Sequence, residues 1–235
     1  MKRLLWLVAA VVLAVVVAIQ VGTADEPAAV ADGPDGATVP TVAPGTDVLA
    51  GVAEIPRRMR DGNYRRAAFG EAWTDDNSAP GGHNGCDTRN DILNRDLTDK
   101  TNVPIKRCPD AVQTGVLHDP YTNDTIAFTR GDKVGAAVQI DHIVPLALAW
   151  DLGAKDWNDE LRLRFANDPA NLLAVSGKSN QDKGDKQPAD WMPPNHGFWC
   201  QYAMQYIAVL RGYGLPVDAP SVPVLRDAAG TCPKG

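Results

Sequence analysis

The sequence predicts an α+β domain that is exported and held behind an N-terminal tether. Three observations carry this. Lys2 and Arg3 precede an unbroken apolar run from Leu4 to Ile19, the pattern of an export segment. From Asp25 to about Ala53 the chain is rich in Ala, Pro, Gly, Thr and Asp with no periodicity, as expected of a disordered linker. After residue 54, apolar runs of strand length alternate with helically spaced ones, and that length suits one domain with its own core.

The division is therefore 1–24 export segment, 25–53 linker and 54–235 folded domain. The apolar run is long for a cleaved signal and slightly short for a membrane span, so removal after Ala24 and retention as an N-terminal anchor are both open. Lys2 and Arg3 on the cytoplasmic side place the remainder outside the cytoplasm in either case. Four cysteines, Cys86, Cys108, Cys200 and Cys232, include no Cys-x-x-Cys pair, and in an exported chain they read as two disulfides. Three pairings are open, of which the two local loops need the least chain closure.

The formal charge of −6 falls to −8 if Lys2 and Arg3 leave with a leader that holds no acid. That balance argues against a general polyanion binder, and any basic footprint must be sought locally. Arg57, Arg58, Arg60, Arg65 and Arg66 form the one dense basic stretch. It is either a contact surface for an anionic polymer or a solvated charged face.

Along the domain, Ile92, Leu93 and Leu97 fall at helical spacing with Thr88 as N-cap. Ala111 to Leu117 and Thr125 to Thr129 flank a turn-rich segment from His118 to Asp124, so they read as paired strands. Val134 to Val144 is an apolar strand that ends at Pro145. Leu146 to Leu152 and Trp157 to Phe165 read as helices, Leu172 to Val175 as a strand, and Ser176 or Ser179 caps a polar helix through Lys183. Gly197 to Arg211 is a core helix whose tyrosines, Tyr202 and Tyr206, are packing residues.

Chemistry concentrates in Gln139-Ile140-Asp141-His142-Ile143-Val144-Pro145, Asn171-Leu172-Leu173-Ala174-Val175 and Asn180-Gln181-Asp182-Lys183. An acid and an imidazole at the end of an apolar strand must both be satisfied, and such a pair is often a buried structural hydrogen bond. His83, His118 and His196 lie in turn-like surroundings and read as surface or structural residues.

The spacing of these stretches resembles the HNH nucleases, whose motif is an Asp-His or His-His strand end, a central Asn and a final His or Asn on a helix. Phe69-Gly70-Glu71-Ala72-Trp73, Gly85-Cys86-Asp87-Thr88-Arg89-Asn90-Asp91 and Asp119-Pro120-Tyr121-Thr122 also resemble exported HNH proteins of actinobacteria grouped with the GmrSD restriction nuclease domain. The resemblance implies a ββα-metal core with His142 as general base and Asn171 as the residue that orients it. It implies a single divalent ion on Asp141 and Asn180, with Lys183 and Arg89 as phosphate contacts. Ser176 and Ser179 stand where many HNH domains carry the cysteines of a zinc knuckle, so no knuckle is expected. Asn180, a neutral oxygen donor, suits Mg²⁺ or Mn²⁺ better than zinc.

The resulting expectation is a monomeric, extracytoplasmic endonuclease. It hydrolyses phosphodiester bonds of DNA, or also RNA, with low sequence preference and leaves 5′-phosphate ends. Two rivals stand beside it: a secreted metallohydrolase of another substrate class, which lacks a third strong ligand, and a non-catalytic envelope protein that presents a disulfide-stapled binding domain.

Overall fold

The computed structural model describes residues 39–131 and 137–234. The expected export segment, most of the expected linker and the first residues of the run from Val134 lie outside that range. In chain order the elements are β1 (Glu54–Ile55), α1 (Thr88–Asp96), β2 (Thr98–Ile105), β3 (Cys108–His118), β4 (Thr125–Thr129), β5 (Val138–His142) and α2 (Leu146–Asp151). They continue with α3 (Asp159–Asn167), β6 (Leu172–Ser176), α4 (Gly177–Lys183), α5 (Trp199–Tyr213), β7 (Val217–Asp218) and α6 (Ser221–Ala229). The fold is mixed α and β, as the alternation of periodicities predicts, and the described residues form three small sheets: β2-β3-β4, β5-β6 and the two-residue pair β1-β7.

Local chemistry sets the helix starts. Asp87, not Thr88, caps α1, its carboxylate accepting from the Asn90 amide at 2.7 Å; Thr88 is thereby released to donate to Asn167 Oδ1 at 2.9 Å. Asn158 caps α3 through the Leu161 amide at 2.8 Å. Ser176 caps α4, so the serine standing at a knuckle position serves the backbone.

Strands β3 and β4 pair antiparallel in regular register from Thr114↔Thr129 to His118↔Thr125. The sequence did not mark β2, because its Thr, Asp, Lys and Asn side chains are mostly exposed and carry no period-two apolar signal; cross-strand hydrogen bonds to β3 hold it, with register shifts. Strands β5 and β6 are distant in sequence yet pair antiparallel, from Val138↔Ser176 to His142↔Leu172, and α4 follows β6 without a break.

Two cores meet at β5. Val138 and Ile140 join Ile92, Leu93, Leu97, Val112, Leu117, Phe128, Leu172 and Ala174, while Ile143 and Val144, just beyond the strand, belong to the larger core built on α2, α3, α5 and α6. The last part of the expected linker, before Ala53, includes packed residues. Val48 and Leu49 are buried in the larger core, and Arg211 donates to the carbonyls of Val48 and Ala50 at 2.9 and 3.1 Å. Two apolar residues in a polar run are enough to dock it. Among the described residues no helix is long and apolar enough to cross a membrane.

The disulfides are Cys86–Cys108 and Cys200–Cys232, the two local loops. With separations of 22 and 32 residues, the chain-entropy relation assigns each roughly 3 to 4 kcal/mol. Cys86→Ser/Cys108→Ser and Cys200→Ser/Cys232→Ser should each lower the free energy of urea unfolding of the full chain by about that amount. Identical urea midpoints with and without reductant would show that the bridges do not stabilise the fold.

Candidate functional site

Alternation along β5 dictates where its polar residues go. Successive strand side chains point to opposite faces, so Gln139 and Asp141 share one face while Val138, Ile140 and His142 share the other. Helix α4 covers the first face. Its residues Asn180 and Lys183, three apart and therefore neighbours on the helix surface, sit over Gln139 and Asp141, two apart on the strand. The Asn180 amide nitrogen donates to Gln139 Oε1 at 2.8 Å. Lys183 Nζ lies 3.0 Å from Asp141 Oδ1 and 2.8 Å from Oδ2, and donates to the His142 carbonyl at 2.7 Å.

Asp141 is 4% exposed and Lys183 0%. The Tyr121 hydroxyl also donates to Asp141 Oδ2, at 2.5 Å. Burial pushes the Asp141 carboxyl above the usual carboxylate range against the pull of Lys183 and Tyr121. Burial likewise pushes Lys183 below the usual ammonium range, against the pull of Asp141. Each is the other's counter-ion, which is the condition for burying either. Lys183 is therefore out of reach of a solvent-borne phosphate in this arrangement. Where the sequence leads one to expect a direct phosphate contact, Lys183 is in this arrangement an internal cation paired with Asp141.

His142 faces the other way. Its Nε2 lies 2.9 Å from the carbonyl of Ala166, at the C-terminal end of α3. That contact assigns the proton to Nε2 and leaves Nδ1 as the acceptor nitrogen. The ring stacks on Trp73, with centroids 5.4 Å apart and planes inclined by 13°. Burial pulls the imidazole pKa down to about 3, opposed by the Ala166 carbonyl and aided by the charges of Arg66 and Lys183. His142 lines a cavity of about 230 Å³ together with Arg66, Gly70, Glu71, Trp73 and Leu146. The cavity thus sets one cation, Arg66, and one acid, Glu71, beside a neutral imidazole.

Asn171 is fully buried. Its side-chain oxygen accepts from the Val144 amide at 2.8 Å and its nitrogen donates to the Val144 carbonyl at 3.2 Å, while its own carbonyl accepts from the Ile143 amide at 2.8 Å. One residue thus carries the turn that follows His142. Arg89, half-buried on α1, donates to the Val138 carbonyl at 3.1 Å, at the far end of β5 from His142.

The structure thus brings Asp141, Lys183 and Asn180 together on one face of β5 and places His142 on the other, with Asn171 behind both. Among the described residues, no group of three or more His, Cys, Asp or Glu side chains is disposed to hold a metal ion. The arginine stretch divides. Arg58 is buried between Asp151, at 2.6 Å, and Asp185, at 2.8 Å, and Arg60 pairs with Asp185 at 2.7 Å, so these two anchor the segment. Arg66 alone of the five lines the His142 cavity.

Sequence reasoning missed Trp73 and Tyr121. Tyr121 sits in a turn stabilised by Asp119, which accepts from the Tyr121 amide and the Thr122 hydroxyl at 3.2 and 2.8 Å. A large aromatic side chain in so polar a turn is the signal that could have revealed an inward-pointing group.

Residues 87–219 match the family model of the GmrSD restriction endonucleases, C-terminal domain; the chain belongs to that family. It is also 34% identical over 197 residues to a protein of the fungus Arthroderma benhamiae described as an uncharacterized secreted protein, covering 83% of this chain and 87% of the relative.

The His142 environment predicts an acid-dependent loss of stability. Because the folded pKa of about 3 lies below the unfolded value near 6.5, the unfolded chain binds a proton that the native one refuses. The contribution is complete above pH 6.5 and is lost progressively as pH falls from there toward 3. Between pH 6 and 4 the urea unfolding free energy of His142→Gln should therefore fall less steeply than that of the native chain, by up to about 1.4 kcal/mol per pH unit. Equal slopes would mean that native His142 takes up its proton as the unfolded chain does.

Proposed function

We propose that the protein is an exported, divalent-metal-dependent endonuclease of the HNH type that cleaves DNA, and RNA as a second substrate, with low sequence preference. The observation that carries this reading is the junction of β5, β6 and α4. Antiparallel strands followed directly by a helix carry Asp141 and Asn180 on one side of β5 and His142 on the other, with Asn171 bracing the turn between them, in a chain of the GmrSD C-terminal domain family. Export is supported by the two disulfides, which form in oxidising compartments, and by the description of the fungal relative as secreted. On this reading residues 1–24 direct export or anchor the chain, and the nuclease domain acts as a monomer.

In the proposed chemistry, His142 accepts a proton from water at Nδ1 while its Nε2–H goes on donating to the Ala166 carbonyl. Asn171 keeps the turn at residues 143–144 fixed, so that the backbone carrying His142 does not drift. Asp141 and Asn180 would hold the ion. The donor types fit a hard cation such as Mg²⁺ or Mn²⁺, and with its nitrogen used on Gln139, Asn180 would ligate through its carbonyl oxygen. A bound ion supplies charge neutralisation at the scissile phosphate and at the departing 3′ oxygen. Lys183 already sits on Asp141, so cation binding there occurs in competition with an internal ammonium.

A second reading, a non-catalytic binding domain, is favoured by one observation: Tyr121 and Lys183 satisfy Asp141 completely enough for a purely structural role. Incubation of the purified full chain with plasmid, single-stranded DNA and RNA, with Mg²⁺, Mn²⁺ or chelator, separates the two. The expected result is cleavage that chelator abolishes, with His142→Ala at least about 100-fold slower. Cleavage that survives chelator, or that His142→Ala leaves intact, would overturn the proposed mechanism; no cleavage at all would favour the second reading.

Lys183→Met supplies an independent check on the ion. Leaving Asp141 buried without its partner should destabilise the metal-free chain by about 3 to 5 kcal/mol, and Mn²⁺ or Mg²⁺ should restore stability to this variant more than to the native chain. Thermal unfolding with and without the ion reads this out. A variant whose stability ignores both ions would remove Asp141 from the ligand set.

A further inference from the structure

The proposed base is held on two sides by one scaffold. At its edge, the Ala166 carbonyl contacts Nε2 at 2.9 Å. Across its face lies the Trp73 indole, nearly parallel to it. Trp73 itself has φ of 61°, a left-handed conformation that a bulky residue seldom adopts. It is tied down next to His142: the Thr88 amide donates to the Trp73 carbonyl at 3.1 Å, the Thr88 hydroxyl donates to Asn167 Oδ1 at 2.9 Å, and Asn167 Nδ2 donates to the Leu163 carbonyl at 2.9 Å. Asn167 follows Ala166 in the chain. The last turn of α3 therefore anchors both the edge contact of the imidazole and, through Thr88, the backbone of the residue on its face. An indole placed for packing alone needs no such shared anchor; one placed to set the plane of a neighbouring ring does.

We propose that Trp73 is the positioning residue for His142. It holds the imidazole plane in the orientation in which Nε2 stays on Ala166 and Nδ1 remains the nitrogen that takes the proton. The inference rests on the nuclease reading above. A flat aromatic face restricts rotation of the imidazole about the bond that carries it, whereas a bulky aliphatic side chain fills the same space without defining a plane. The loss on removing Trp73 falls on the reaction step and not on substrate affinity, because a misplaced base affects only the transition state.

The test uses the full chain, a duplex oligonucleotide and Mg²⁺, with folding checked by near-ultraviolet circular dichroism. Trp73→Leu should lower kcat by roughly 10- to 100-fold with KM little changed, and Trp73→Phe should recover most of it. A second arm adds free imidazole to His142→Ala. Imidazole should restore part of the activity when residue 73 is Trp or Phe, since the aromatic face orients the free ring, and should fail in His142→Ala/Trp73→Leu. A folded Trp73→Leu chain with native kcat, or imidazole rescue that is the same with Trp and Leu at position 73, overturns the proposal while leaving the nuclease reading in place. If Trp73→Leu does not fold, the rescue of His142→Ala/Trp73→Phe decides: its absence overturns the proposal. A native chain inactive on every nucleic acid overturns the parent reading and this inference with it.

Discussion

The buried pair of Asp141 and Lys183 is the constraint from which the arrangement of the site follows. A carboxylate 4% exposed and an ammonium at 0% are tolerable only together, since an isolated buried ion is far costlier than a paired one. The pair fixes α4 against β5, and the additional bond from Lys183 to the His142 carbonyl fixes the strand end itself. Tyr121 reaches the same carboxylate from the turn before β4, so three separate segments of chain converge on one charge. A buried ion pair is weak evidence for net stability. Its stronger consequence is register: sliding β5 by one residue would turn Asp141 away from its cation and toward the apolar side of the strand.

That register also determines what His142 experiences. With Asp141 directed to α4, His142 must face Trp73 and the end of α3, where burial keeps it neutral. The two functions expected of the motif, holding a cation and accepting a proton, are thereby placed on opposite sides of one strand. Asn171, fully buried, links them through the backbone at residues 143 and 144. Arg95 and Asp96 brace the partner strand: Arg95 donates to the Leu172 carbonyl at 2.7 Å, and Asp96 accepts from the Ala174 amide at 2.7 Å.

How much of this was legible in advance depended on whether a residue's role was local. The β5, β6 and α4 elements were readable because apolar runs and a serine cap are properties of consecutive residues, and the resemblance of their motif to HNH nucleases rests on the same short spacings. The β2 strand was not, since its stability resides in hydrogen bonds to β3 and its side chains are exposed. Helix α6 was passed over although Val222, Leu225, Ala228 and Ala229 are buried on one side; a proline inside a nine-residue stretch masked the period. Lys183, Tyr121 and Trp73 lie at the other extreme. Whether a lysine points outward or inward is decided by the strand beneath its helix, and nothing within α4 records that Asp141 lies there.

The same non-locality governs the charge balance. An acidic chain that acts on a polyanion needs its cations at the site, and the sequence offers one dense arginine stretch. Arg58 and Arg60 are consumed internally by Asp151 and Asp185, which holds the segment from residue 58 to 61 against α2. Arg66, a few residues on, then opens the short 3-10 turn Arg66–Phe69, whose Phe69 is buried in the larger core. Two arginines anchored by aspartates and a phenylalanine anchored by packing leave Arg66 on the lining of the His142 cavity. On the nuclease reading, the stretch divides by role: Arg58 and Arg60 build the platform, and Arg66, on the lining of the His142 cavity, adds its field to any phosphate that approaches the base.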